Sequence, residues 1–421
     1  MKKKNQKEAS YTVITVFIIT ITFFFCFNSF PKAACALNGA DIAIYNDSIA
    51  PYLVLNGVLT KTSGAWQDGV TAIKNMLTYM GFTYEEITYY DLNQSTQDFS
   101  GLYKVILMPG GFAKWYNYWI NKSGKERIRS FVNKGGGYFG ICAGAFFASD
   151  KTIWEGVSYD DNVDYNYYGE LTGYDLDLFA GTGTGPMNAI ADWNGEGYNM
   201  TTLNFATDNT VLTGYKQTPY TEDILYYGGP YFTADTGSNI EVLATYSYNG
   251  QPAIIALNYG YGRVVLSGPH PEIEEDSDRD GVTISREDVM DDKGSDWPLT
   301  KYMLNWLINS SVTHSFTPPS VTNVSRGGSL GPFYAAITNN TSSSYSFYMF
   351  SEIKTPDGNW YQLFNILVTL AVGETQYANN NNGVYLEVPS TAPTGTHKLC
   401  SKAIGPTFNL LDRYCFDFQV Q

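Results

Sequence analysis

The chain has 421 residues, enough for two domains, and 44% of them are hydrophobic, which allows a sizeable core. Its formal net charge is −15. Nucleic acid and anionic membrane surfaces favour basic patches, so this balance argues against both as partners.

The N-terminus carries Lys2, Lys3, Lys4 and Lys7, then a mostly apolar run from Tyr11 to Phe30, then Ala34-Cys35-Ala36. This is the pattern of a secretory signal over residues 1–36, with the mature chain starting near Leu37. The run is also long enough to remain as an uncleaved membrane anchor. Secretion or cell-surface display is therefore expected, with N-terminal anchoring as the alternative. Lys32 stands where a lipoprotein signal ending at Cys35 would need an apolar residue.

From Ala40 to Ala148 strands and helices alternate. Ile42 to Tyr45 is a short apolar strand. Trp66, Val70, Ile73, Leu77 and Met80 recur at helical spacing and Gly81 follows as a stop. Phe82 to Tyr89 and Tyr103 to Met108 read as strands, and Pro109-Gly110-Gly111 ends the latter. Lys125 to Asn133 is a helix with Ile128 and Phe131 inward. Tyr138 to Ile141 is a further strand, with Cys142 directly after it. Such alternation predicts a parallel sheet covered by helices, with reactive groups at the carboxyl ends of its strands.

Residues 150 to 250 are rich in Gly, Tyr, Asp and Asn and show only short apolar runs. Gly181-Thr182-Gly183-Thr184-Gly185 lacks the lysine and following helix of a phosphate loop and reads as a plain loop. Ala253 to Leu257 and Arg263 to Leu266 form a hairpin that leads to His270, and Trp297 to Ile308 closes the region as an amphipathic helix. Ser315 to Ser320, with Pro318-Pro319, reads as a linker. Alternating strands follow, which predicts a small all-β sandwich. The expected domains are thus 37–313 and 314–421. Cys400 and Cys415 lie equidistant from a turn near Thr407 and Phe408, so a hairpin would bring them together as a disulfide. Two buried free thiols are the alternative.

The chemistry concentrates on Cys142 and His270. Glycines around Cys142 permit a tight strand-to-helix turn that presents the thiol, and a helix starting there would favour its anion. The N–H groups of Ala143 and Gly111 would hold an oxyanion. His270 would shuttle the proton, and Glu272, two residues on in an extended segment, would orient the imidazole. A buried structural cysteine and a structural histidine are the plainer reading of each residue alone.

Gly140-Ile141-Cys142-Ala143-Gly144 and His270-Pro271-Glu272 resemble the nucleophile elbow and His-x-Glu motif of class I glutamine amidotransferase-like proteins. Gly135 to Ala145, Tyr227-Gly228-Gly229-Pro230 and Gly268 to Glu272 look closest to the branch named after the N-terminal domain of biotin-protein ligases. The resemblance covers roughly residues 40 to 310. It implies a flavodoxin-like sheet and a Cys142-His270-Glu272 triad, with no cofactor required for catalysis. Where glutamine-using members carry a glutamine, four residues after the nucleophile, this chain has Phe146. No Gly-Arg-Gly-Arg string of a biotin ligase catalytic domain is present.

Asp276-Ser277-Asp278-Arg279-Asp280-Gly281, with Glu287 at the twelfth position, resembles an EF-hand-type calcium loop. Asp276, Asp278, Asp280 and Glu287 are the candidate ligands; a solvated acidic loop is the alternative. Taken together, the residues predict an exported cysteine hydrolase of an amide or related acyl bond. Its substrate would be a small molecule or peptide, and the C-terminal domain would bind a surface or partner. A non-catalytic binding protein with the same fold is the second reading, and a glutaminase the third.

Overall fold

A computed structural model describes residues 37–421, apart from 56, 156–168, 193–196, 207–208, 213–214, 216–219, 274–277, 283–294, 309–311, 342, 379–382 and 407–409. The expected leader lies outside the described residues. Among the described residues, no helix is long and apolar enough to cross a membrane.

β1 (Ile42–Tyr45) is buried at every position, as a strand covered on both faces must be. β2 (Leu53–Leu55) and β3 (Val58–Thr60) pair as a small antiparallel ribbon that the sequence reading passes over. α1 (Gln67–Met80) turns Val70, Ile73, Met76, Leu77 and Met80 inward and stops at Gly81, whose φ of 83° suits glycine. The strand expected over Phe82–Tyr89 is shorter. β4 spans Tyr84–Ile87, because Thr88 and Asp91 form a capping box that opens α2 (Tyr89–Gln94). β5 (Val105–Met108) follows, then α3 (Ala113–Trp119), a short helix whose aromatic run hides its period. α4 (Lys122–Asn133) starts before the expected Lys125 because the Asn121 side chain caps Gly124 N–H. β6 (Gly137–Ile141) runs into Cys142 and α5 (Ala143–Ala148).

The glycine- and tyrosine-rich stretch resolves into strands: β7 (Ser149–Trp154), β8 (Gly169–Thr172), β9 (Phe179–Gly185), β10 (Asn199–Phe205), β11 (Tyr220–Tyr226), β12 (Tyr231–Ala234) and β13 (Ile240–Tyr246). The loop expected at Gly181–Gly185 is therefore corrected to part of β9. Its glycines serve close packing: a Cβ at Gly181 would overlap the Phe179 ring, and one at Gly185 would press on the Gly229 carbonyl. β14 (Pro252–Tyr259) and β15 (Gly262–Ser267) form the hairpin, and α6 (Trp297–Ile308) closes the α/β part.

Among the described residues, nine strands form the main sheet in the order β11-β10-β13-β14-β15-β6-β5-β1-β4. β4, β1, β5, β6 and β15 run parallel; from β15 outward every pairing is antiparallel. The expectation of a parallel sheet thus holds for half of it. The other half is antiparallel because tight turns such as Asn258–Gly262 cannot make a parallel crossover. A second sheet, β12-β9-β7-β8, adjoins it. The observed class is α/β with a mixed sheet, followed by a β-rich part.

That β-rich part holds β16 (Val312–Thr317), β17 (Asn323–Val324), β18 (Ser329–Asn339), β19 (Tyr345–Lys354), β20 (Trp360–Leu370), β21 (Thr375–Tyr377), β22 (Val384–Glu387), β23 (Gly395–Ile404) and β24 (Leu410–Val420). β16, β18 and β21 form one sheet, with β22 on β18; the other is β17-β24-β23-β19-β20. The stretch Ser315 to Ser320, expected as a linker, is strand in its first half: Ser315 to Thr317 pair with β18, and the chain leaves the strand at Pro318. Cys400 and Cys415 face each other across β23 and β24 and are joined by a disulfide.

Lys104, just before β5, bonds Asp412 of β24 at 2.8 Å and Asp41 at 3.0 Å. Burial opposes its charge, but the two carboxylates hold the ammonium above the usual lysine range. Arg413 donates to the carbonyl of Asn38 at 2.7 Å and, through Nε, to Cys415 Sγ at 2.9 Å.

Candidate active site

Three neighbouring parallel strands, β5, β6 and β15, end side by side. Pro109-Gly110-Gly111 leaves the first, Cys142 the second, and Gly268-Pro269-His270 the third. Topology alone therefore brings together segments far apart in the chain.

Cys142 has φ 49° and ψ −102°, a strained conformation for a residue with a Cβ. The strain is held by main-chain bonds. Cys142 N–H donates to Ser267 O at 2.8 Å, and its carbonyl accepts from Ala145 and Phe146. Glycine is needed on either side. A Cβ at Gly144 would overlap the Met108 carbonyl, and one at Gly140 would press on the Gly144 carbonyl at 2.6 Å. The thiol is 4% exposed and donates to the Tyr227 carbonyl at 3.4 Å.

His270 is fixed at its main chain by an N–H bond to Leu225 O at 2.8 Å. Its Nδ1 donates to Glu272 Oε1, also at 2.8 Å. Both side chains are removed from water, at 1% and 0% exposure. Glu272 is held in turn: Trp297 Nε1 donates to its carbonyl at 2.9 Å, while a Cβ at Gly69 would sit 3.3 Å from Oε1. Gly110 packs against the Cε1 edge of the imidazole, and a Cβ there would overlap Cε1. Among the described residues, Nε2 has no hydrogen-bond partner of good geometry. Burial pulls the imidazole toward neutrality, but the Glu272 carboxylate and then the nearby Cys142 sulfur outweigh it. His270 is pushed up to about 10.

The second glycine-rich string now has a purpose. A Cβ at Gly229 would overlap the Gly268 carbonyl, and one at Gly268 would overlap the Pro230 carbonyl. Tyr227-Gly228-Gly229-Pro230 is thus pressed against the segment that carries His270. Tyr226 and Tyr246 brace it, with hydroxyls donating to Gly229 O and Pro230 O at 2.8 and 2.9 Å. Burial raises both phenols above the usual tyrosine range, so they stay neutral donors. Trp66 meets His270 edge-on at 5.3 Å and Tyr227 at 5.4 Å, and Tyr198 extends the cluster. Sequence pattern alone assigns Trp66, Tyr198 and Gly110 no place in the site. The quoted Tyr227–Pro230 string was the available signal.

The two oxyanion candidates follow the ends of neighbouring strands, Gly111 after β5 and Ala143 after β6. Among the described residues, no hydrogen bond occupies the N–H of Gly111 or of Ala143. Gly111 has φ 134° and lies against Gly64, where a Cβ would overlap the Gly64 carbonyl. Phe146, in the glutamine position, is buried and meets Trp154 edge-on at 5.9 Å, so this wall is apolar.

The acidic loop is only partly described, because Asp276 and Glu287 lie outside the described residues. Asp278 to Asp280 form a short 3₁₀ turn, and Asp280 Oδ1 accepts from Val282 N–H at 2.9 Å. Among the described residues, no group of three or more acids, histidines or cysteines is placed to hold a metal. Between Asp278 and Asp280, Arg279 stacks over Tyr79 and Trp297, at 4.7 and 4.5 Å from the ring centres.

A mixed α/β sheet with a strained cysteine at one strand end and a carboxylate-bound histidine at the next defines a class of site. The family follows from comparison: the model of the biotin-protein ligase N-terminal family matches residues 59–315. The chain belongs to that family. It is 30% identical over 173 residues to a biotin–protein ligase of Schizosaccharomyces pombe, covering 40% of this chain and 25% of that protein. It is 31% identical over 175 residues to an uncharacterized protein of Chlamydia muridarum, covering 40% of this chain and 60% of that one. The chain thus spans a quarter and three fifths of these relatives. Among solved structures, a β-galactosidase from Bacillus circulans sp. alkalophilus aligns at TM-score 0.37 and 15% identity. That alignment covers 80% of this chain and 41% of that one. A cytoplasmic protein of Salmonella typhimurium LT2 aligns at 0.32 and 13% identity, over 54% and 86%. Both likenesses are too loose to bear on function.

Proposed function

We propose that this protein is an exported cysteine hydrolase acting on an amide or related acyl bond. Cys142 attacks the carbonyl carbon after passing its proton to His270 Nε2, and the N–H groups of Gly111 and Ala143 receive the oxyanion. The imidazolium then protonates the departing amine. Water, deprotonated by the same nitrogen, cleaves the thioester and releases the acid and the free thiol. Glu272 keeps Nδ1 protonated and the ring aligned.

The observation that carries this reading is the 2.8 Å bond between the buried His270 and the buried Glu272, beside a cysteine whose backbone is strained. A purely structural cysteine gains nothing from that conformation. The finer readings belong with it: a flavodoxin-like core over 37–313, a sandwich over 314–421 that binds a surface or partner, and export directed by residues 1–36. An uncleaved anchor is the alternative to release. Calcium on Asp276, Asp278, Asp280 and Glu287 would order the segment after Glu272 without taking part in the chemistry. Isothermal titration with calcium checks that proposal, and no heat at millimolar calcium rejects it.

Incubation with activated acyl esters and amides, followed by intact mass measurement, tests the hydrolase. An acyl adduct on Cys142 that decays with turnover is expected, and His270→Ala should not form it. The second reading, a binding protein without turnover, is favoured by the bond from Cys142 Sγ to the Tyr227 carbonyl rather than to His270. Unchanged ligand affinity in Cys142→Ala with no product would select it.

A further inference from the structure

We propose that this chain forms a two-fold dimer through β20, pairing antiparallel with the same strand of a second copy. Among the described residues, β20 ends its sheet and is hydrogen-bonded to β19 on one side only. Open edges of this length are usually guarded by charge, proline or a covering loop. Trp360 to Leu370 contains no charged residue and no proline, in a chain whose net charge is −15. Tyr361, Leu363, Phe364, Ile366 and Leu367 are each between 43% and 62% exposed.

The two faces of the strand both favour a partner strand. Phe364, Ile366 and Val368, joined by Leu363 at a bulge in the pairing with β19, line a cavity of about 310 Å³ between the two C-terminal sheets, opposite Phe316, Phe333 and Tyr385. Asn365, Leu367 and Thr369 alternate to the other face. A small apolar ligand would fill the cavity but leave the edge main chain unpaired and Leu367 in water. An extended polypeptide satisfies all three.

The sequence of β20 selects itself as that polypeptide. With the two-fold axis at Asn365, Phe364 faces Ile366 of the other copy on either side of the axis, and Leu363, which the pairing with β19 skips, falls beside Leu367 of the other copy. Asn365 meets its own amide across the axis. Moving the axis to Ile366 or to Phe364 would set Asn365 against a leucine. The exposed apolar side chains of β20 offer about 500 Å² per copy. With the main-chain edge, this approaches the ~800 Å² per partner of a stable interface. The joined sheets would then run through ten strands, because each copy contributes five.

Sedimentation equilibrium of the purified chain tests this. The expected mass is that of two chains, each of 46.8 kDa. Leu367→Lys, on the face away from the cavity, places two charges at the interface and should weaken the dimer by about 100-fold. Ile366→Lys should do the same. Asn365→Cys should cross-link to itself under mild oxidation, while Thr369→Cys should not. Unchanged melting of the Leu367→Lys chain would show that its fold is intact. A monomeric wild type at tens of micromolar overturns the proposal. So does a dimer that keeps its affinity in both lysine variants, or an Asn365→Cys chain that stays uncrosslinked.

Discussion

Glu272→Gln isolates the electrostatic core of the site. The substitution keeps the size and hydrogen-bonding capacity of the side chain but removes its charge. Two unit charges about 4 Å apart at an effective dielectric near 20 attract by about 4 kcal/mol, or about 3 pH units of proton affinity. His270 stands at about 10 with the carboxylate present. Without it, burial works almost unopposed, so the midpoint should fall to about 7 or below. The chain has three histidines, His270, His314 and His397, so ring resonances can be followed individually by NMR against pH. The stability cost should be about 1–3 kcal/mol, because Gln leaves a hydrogen bond but loses its charge assistance. A His270 midpoint that does not move in Glu272→Gln would refute the reasoning, since it would mean that the carboxylate does not govern the imidazole.

Other consequences follow from the same geometry. The folded His270 holds its proton more tightly than an unfolded histidine, so its contribution to stability is complete below about pH 6.5 and lost as pH rises through about 10. The gap in urea stability between wild type and His270→Asn should narrow from pH 6 to pH 10.5; a widening gap contradicts the sign. Gly144→Ala would drive a Cβ into the Met108 carbonyl. Such overpacking should cost about 1–3 kcal/mol in chemical denaturation. Replacing Cys400 and Cys415 together by alanine opens a loop with a sequence separation of 15 and should cost roughly 3 kcal/mol. A melting temperature unaffected by reductant would count against that figure.

Elements were legible where burial imposed a simple period. β1, β5, β6 and α1 are short and apolar, or regularly amphipathic, and their cores lie where the pattern puts them. The hairpin of β14 and β15 was marked by Asn258 to Gly262. Legibility ended where glycine served packing rather than turning. Gly181 and Gly185 sit inside a strand because a neighbouring ring or carbonyl occupies the space of a side chain, and no local pattern announces that. β10 and β11, at the antiparallel end of the main sheet, were hidden for a different reason: Thr202, Asn204, Thr221, Glu222 and Asp223 sit among their apolar residues and pair across the two strands. At the site, Cys142, His270 and Glu272 stood out by rarity and spacing. Trp66 and Tyr198 did not, because an aromatic ring reads the same whether it lines a core or a cleft. Gly110 could be assigned only once His270 was seen to lie against it.

The most direct measurement is the rate at which iodoacetamide alkylates Cys142 at pH 7, read by peptide mapping in wild type and in His270→Ala. An imidazole that takes the thiol proton should make the wild-type rate at least about 10-fold higher. Equal rates in the two proteins would contradict the account, since His270 would then have no hold on the sulfur.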